Sequence, residues 1–286
     1  KNTITDVTSY TDLSDYESNF DADIFSRSDM TINCIGSLTV NGNMKNGIFS
    51  KYDLVITGGT ITVNAKNNGI CGKDCVKIAD GNITIKSEGD GIKSNNSEDT
   101  SKGYIYICGG KINITSTTDA IQAETTLTIE KGEINLKTGG GSENSSKTSG
   151  GKDNPQWGKW GQEDSSTTEE DTASAKGLKA GGDIKISNAT ITADTSDDSI
   201  HSNSNVTIES GTFNLKSGDD GIHADTSTVI NNGNIVIEKS YEGIEGSNVT
   251  INGGTIELTA SDDGINSAGG SDSSSMGGRM GQNSFT

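Results

Sequence analysis

The sequence predicts an all-β chain, a right-handed parallel β-helix with three short strands per coil and about ten coils. Three observations lead there. First, a unit of about twenty-two residues recurs, as in DDSIHSNSNVTIESGTFNLKSG, DDGIHADTSTVINNGNIVIEKS and YEGIEGSNVTINGGTIELTAS, followed by DDGINS, from Asp197 to Ser267. Second, each unit holds I-x-I pairs separated by Asn/Ser/Gly turns, which is the period-two pattern of half-buried strands. Third, one glycine column (Gly59, Gly81, Gly110, Gly132, Gly211, Gly233, Gly254) precedes the same strand in successive units, with Ala189 as the exception. A glycine there suits a turn that needs positive φ.

One apolar residue indexes the coils: Ile24, Ile48, Ile70, Ile92, Ile121, Leu178, Ile200, Ile222, Ile244 and Ile265. From Ile48 to Ile92 and from Leu178 to Ile244 every step is 22 residues. Coils spaced about 4.8 Å apart make a rod roughly 45 Å long. Right-handed crossovers dominate parallel sheets, hence the expected hand. The whole chain is expected to be one domain. Residues 1–23 cap the first coil, 24–268 form the helix, 139–175 loop out of it, and 269–286 are a tail.

Forty acidic residues against 22 basic ones give a net charge of −18. Such a surface repels nucleic acid and anionic lipid. No apolar run is long enough for a membrane-spanning helix, so membrane insertion is not expected. The cysteines Cys34, Cys71, Cys75 and Cys108 contain no CxxC, and spacing alone does not choose between disulfides and thiols. No histidine lies in that half of the chain, which disfavours a zinc site there.

Two columns flank the index residue. The column two places before it reads Asn46, Asn68, Asp90, Asp119, Lys176, Asp198, Asp220, Glu242, Asp263, and one place earlier stand Asp197, Asp219 and Asp262. Carboxylates stacked at the coil spacing repel unless a cation neutralises them. Calcium suits that task, because it accepts six to eight oxygens. The candidate metal ligands are Asp219 and Asp220 with Glu242 and Glu245; Asp197 and Asp198 with Asp220; and Asp262 and Asp263 with Glu242. Asp90 belongs to the same column. A competing reading makes these aspartates simply good turn residues, each capping its own backbone. The column one place after the index carries Lys93, Lys179, His201 and His223, candidates for sugar hydrogen bonding. The histidines could equally be a general base, a metal ligand, or a polar ladder on a solvent face. Imidazole nitrogen is a poor ligand for calcium. Trp157 and Trp160 could stack on sugar rings or anchor the loop.

With NGIFS (46–50), GDGIKS (89–94), DDSIHS (197–202), DDGIHA (219–224), YEGIEG (241–246) and DDGINS (262–267) in view, the chain resembles the pectate-lyase-like β-helices. More closely, it resembles the carbohydrate-binding β-helix family of cellulose-degrading anaerobic bacteria. That resemblance implies a secreted or cell-surface monomer that binds cellulose and acidic pectin such as polygalacturonate, with several calcium ions. It also implies calcium held by carboxylates of adjacent coils, where Glu242 and Glu245 match an acid-x-x-acid spacing above Asp219 and Asp220. Two other readings remain open: a calcium-dependent uronate lyase with Lys93 or Lys179 as base, and a purely structural or adhesive rod. The only arginines, Arg27 and Arg279, lie outside the acidic columns.

Overall fold

The computed structural model describes residues 1–8, 22–33, 35–145, 174–267 and 284–285. Cys34, Trp157, Trp160, residues 9–21 of the expected cap and most of the tail lie outside the described residues.

Three parallel sheets of ten strands each wind into a solenoid of about ten turns. Sheet 1 runs from Asn2–Thr5 to Thr255–Leu258, sheet 2 from Ala22–Ser26 to Ile265–Asn266, and sheet 3 from Met30–Ile32 to Ser284–Phe285. Consecutive strands of the chain fall in different sheets, so each pairs only with its counterpart one coil away. Index residues stack in register: Ile48 on Ile70, Ile121 on Leu178, Ile200 on Ile222, and Ile222 on Ile244. Alternation puts the isoleucines inside. In sheet 1 the column Val63, Ile85, Ile114 and Leu136 is buried. Fully burying an aliphatic side chain of this size is worth about 1.5–3 kcal/mol. Repeated over ten coils, that supports a narrow core despite the low apolar content.

The glycine column works as expected, with Gly132 at φ 136°. A Cβ at Gly132 would lie 3.1 Å from the carbonyl oxygen of Gly110 one coil away. The coil that carries Ala189 solves the same turn differently: Asn188, one residue earlier, takes φ 48°. Asparagine is one of the few non-glycine residues that tolerates this region.

Sheet 1 has one irregularity. Between Leu215 and Lys216 its register slips, so that Lys216 pairs with Lys239. This bulge comes just before the coil that bears Glu242 and Glu245. The tail returns to the rod, where Ser284–Phe285 adds a parallel strand beside Asn248 and Val249. At the other end Asn2–Thr5 pairs with sheet 1 as its first strand.

Candidate functional site

The column two places before the index residue is a hydrogen-bonded file. Asn46 Oδ1 accepts the Asn68 amide at 3.0 Å, Asn68 Oδ1 that of Asp90 at 2.9 Å, and Asp90 Oδ1 that of Asp119 at 3.1 Å. Asp119 Oδ1 accepts from Lys176 at 2.8 Å, Asp198 Oδ1 from Asp220 at 2.8 Å, and Asp220 Oδ1 from Glu242 at 3.2 Å. Each side chain thus caps the backbone of the next coil. A lysine side chain cannot accept, so the file breaks at Lys176, where the Asp198 amide bonds instead to Asp197 Oδ1 at 2.9 Å; its last rung is the one from Asp220 to Glu242.

The second carboxylate oxygen faces a base. Asp90 Oδ2 meets Lys93 Nζ at 2.6 Å, and Asp119 Oδ2 meets Lys179 Nζ at 3.3 Å. Asp198 Oδ2 meets Lys176 Nζ at 2.6 Å and His201 Nδ1 at 2.8 Å. Asp220 Oδ2 meets His223 Nδ1 at 3.1 Å. The chain therefore supplies cations of its own along much of the file. Lys93 and Lys179, candidates for sugar contact or for a lyase base, are engaged in these pairs, and neither lines the groove described below.

Burial corrects one expectation. The histidine column is not on a solvent face: His201 is 5% exposed and His223 1%. Their rings stack with centroids 4.8 Å apart. His201 Nε2 lies 2.9 Å from Asn203 Oδ1, and His223 Nε2 lies 3.1 Å from Asp225 Oδ1.

Among the described residues, two groups bring three metal-ligating side chains within one ion's reach: Asp197, Asp198 and Asp219; and Asp220, His223 and Glu245. Asp219 therefore gathers with the coil below it, not with Glu242 and Glu245. Asp262 and Asp263 join neither group, although both add to the electrostatic rise of Glu242. Burial is the main cause of that rise, and Glu242 Oε2 is buried without a hydrogen-bond partner.

The carboxylates titrate apart. Burial alone would raise Asp198, yet the Lys176 ammonium and His201 hold its carboxyl well below the usual range. Burial pushes Asp220 up to about 6; the His223 bond opposes the shift, while Asp198 and Glu245 add to it. The difference follows from Lys176, whose Nζ lies against Asp197 and Asp198 at 2.9 and 2.6 Å.

A groove of about 910 Å³ follows the corner where sheet 1 strands end, lined coil by coil by Asn43, then Lys66, then Lys86 and Glu88, then Thr117, then Gly139 and Gly140, then Asp197. Asp219 closes one end, and Asn144 and Ser145 contribute to its wall. These last two belong to the first described stretch, 139–145, of the 139–175 insertion, which is pinned by Ser142 N to Asp194 Oδ1 at 2.8 Å and Ser145 Oγ to the Gly218 carbonyl at 2.7 Å. Seven coils at about 4.8 Å each make this groove roughly 29 Å long between its end coils.

Part of this arrangement was visible as acid-x-x-base spacing in Asp90–Lys93, Asp198–His201 and Asp220–His223. Asn203 and Asp225, which contact the histidines, carried the same signal two residues after each ring. Lys176 stands directly before Asp198 in the indexed column, 22 residues earlier, but the column alone does not show that its ammonium turns toward Asp197 and Asp198.

The fold and this groove define a class: a three-sheet parallel β-helix with a polar furrow along one corner and buried acid–base pairs beside it. A family model described as carbohydrate-binding domain-containing protein matches residues 1–221 and again 205–283. The chain belongs to that family. A relative from Acetivibrio thermocellus with the same description is 50% identical over 139 residues, 49% of each chain. A solved structure, the gadolinium derivative of a polysaccharide lyase-like protein from C. thermocellum, is 43% identical with a TM-score of 0.47, covering 48% of this chain and 56% of that one. The chain thus spans about half the length of these relatives.

Proposed function

We propose that this chain binds cell-wall polysaccharide, cellulose and acidic pectin, along the sheet 1 corner. The observation that carries the reading is the groove itself, which crosses seven coils and is lined with amide, hydroxyl, ammonium and carboxylate groups. Such groups hydrogen-bond successive sugar hydroxyls, and a furrow along the rod axis suits an extended polymer. Secretion or surface display belongs to the same reading, since the polymers are extracellular.

Calcium fits one of the two ligand groups. It takes oxygen donors, and Asp197, Asp198 and Asp219 offer only oxygen, with Asp197 and Asp219 facing the groove. The Lys176 ammonium already occupies one side of this group. Calcium held there would neutralise Asp197 and Asp219 and attract the carboxylates of an acidic glycan, which a chain at −18 otherwise repels.

Co-sedimentation with cellulose and with insoluble polygalacturonate, each with calcium and with chelator, tests both parts. Retention on both polymers is expected, with chelation weakening the polygalacturonate lane more. Absence from both pellets would overturn glycan binding and favour a structural rod. Equal retention after chelation would remove calcium from the account.

A further inference from the structure

The described strands of sheet 1 carry five lysines, and four of them hold a carboxylate. Lys111 pairs with Glu133 at 2.6 Å, Lys137 with Asp194 at 3.3 Å, and Lys216 with Glu238 and Lys239 with Glu143 at 2.9 Å each. Lys66, just past its strand, pairs with Glu88. Lys86 is the exception. It is exposed, lines the groove, and has no carboxylate partner among the described residues. Its column gives the reason: in register Lys86 stands between Asn64 and Thr115, whereas Asp194 stands between Lys137 and Lys216. Both neighbours of Lys86 are exposed, line the groove and keep a polar atom open. Asn64 Nδ2 donates to Asn41 Oδ1 at 2.8 Å, which leaves Asn64 Oδ1 without a donor among the described residues. The Thr115 hydroxyl has no hydrogen-bond partner among them either. Three successive coils, about 4.8 Å apart, thus present a carbonyl oxygen, an ammonium and a hydroxyl in one row.

We propose that Asn64, Lys86 and Thr115 form a uronate subsite of the groove, in which Lys86 Nζ donates to the sugar carboxylate and its two neighbours bond hydroxyls beside it. The chemistry matches group by group. An ammonium in an otherwise neutral row complements an anion, a side-chain carbonyl accepts from a hydroxyl, and a threonine hydroxyl does either. A neutral glucan offers hydroxyls alone and leaves the ammonium unanswered, whereas a uronic acid polymer offers both. Glu88 does not compete for Lys86, because Lys66 holds it. The inference rests on glycan binding in the groove and adds a preference within it, for an acidic polymer over a neutral one. The subsite lies three coils, roughly 14 Å, from the coil that carries Asp197. Its contact therefore needs no cation held there.

Calorimetric titration of the full chain with oligogalacturonate and, separately, with a cello-oligosaccharide tests this. Lys86→Met is expected to weaken oligogalacturonate binding about tenfold, the scale of one hydrogen bond to a charged group. The cello-oligosaccharide should bind the variant as it binds the wild type. Lys86→Arg, which keeps the charge, is expected to retain most of the affinity. Lys111→Met changes the net charge equally, but Lys111 lies outside the groove, and its expected effect is about twofold or less. Added salt should weaken the wild type more steeply than Lys86→Met, since the contact is exposed to solvent. Because Lys86 is exposed, the variant should melt close to wild type. Unchanged oligogalacturonate affinity in Lys86→Met would overturn the subsite and leave the glycan-binding reading in place. So would an equal loss for both glycans, an equal loss in Lys111→Met, or a wild type that binds only the cello-oligosaccharide. A wild type that binds neither glycan would overturn the reading and the subsite together.

Discussion

Each aspartate of the buried file divides its two oxygens between two tasks. Oδ1 holds the amide of the next coil, and Oδ2 holds a lysine or histidine. The first task needs only an acceptor, which is why Asn46 and Asn68 serve where no base stands opposite. The second needs charge, and it matters most at Asp198, which is fully buried. Removing one partner of a buried pair leaves an uncompensated charge and costs about 3–5 kcal/mol. Lys176→Met is therefore expected to lower stability by about that amount in urea titration, and Lys176→Met with Asp198→Asn to recover most of it. The asparagine would still accept the Asp220 amide. The pH dependence has a defined sign. The Asp198 carboxyl is depressed in the fold, so the unfolded chain binds its proton more readily. Its contribution is present above the ordinary aspartate value, about 3.9, and is lost as the pH falls through the folded value. Asp198→Asn should flatten the acid limb of a plot of Tm against pH; an unchanged limb would assign acid sensitivity elsewhere. The spacing that pairs Asp90 with Lys93 and Asp198 with His201 was readable in the sequence. The burial of the histidines was not, because period-two alternation distinguishes inward from outward but says nothing of what covers an outward face.

At the level of the element, strand identity and register were legible because repetition removes ambiguity. An index isoleucine slipped by one residue would turn every side chain of its strand to the wrong face, and the observed register follows the indexed column from Ile24 to Ile265. Two features escaped the pattern. Ser284–Phe285 is too short to show a period, and the slip between Leu215 and Lys216 leaves the residue count of its coil unchanged at 22. The departure at Ala189 was visible, but its remedy at Asn188 emerged only with the backbone. A non-glycine, non-asparagine residue in the left-handed region costs about 1–2 kcal/mol. Asn188→Ala is accordingly expected to destabilise the protein by about that much, and Asn188→Gly to be neutral or slightly stabilising. Denaturant midpoints of the two variants check this directly. Equal midpoints would mean that the Asn188 side chain, whose Oδ1 accepts from Ser210 Oγ at 3.0 Å, contributes more than its backbone.

Across the whole molecule, stability is that of a stack in which each coil touches only its neighbours. Burial declines toward the last coils. Ile251 and Leu258 are half-buried and Ile265 is 36% exposed, whereas Ile92, Ile121 and Ile200 are fully buried. Local opening follows such gradients. Burial is equally low in the first coil, where Asn2–Thr5 is exposed and Ile24, Met30 and Ile32 are half-buried, so hydrogen exchange should proceed fastest at the two ends, before Val40 and from Asn248 onward among the described coils, and slowest between Ile83 and Leu215. Uniform protection would mean that the rod opens as a single unit. Shape and charge were both predictable from the sequence, as was the balance between them, since apolar residues confined to one phase leave every other position for polar groups. The groove was not, because it arises from turn geometry repeated along an edge.

The rung from Asp119 to Lys176 has a further meaning. It joins residues 57 apart in the chain with a hydrogen bond of the same kind and length, 2.8 Å, as the rung that joins Asp198 and Asp220, 22 apart. The scaffold is indifferent to how much polypeptide leaves and re-enters between two coils, provided the re-entering amide finds its acceptor. Insertions at this corner are thus modular. A segment grafted between Ser145 and Ser174 could reshape the wall of the furrow while the coils above and below keep their alignment, which makes this seam the natural place to change what the rod recognises.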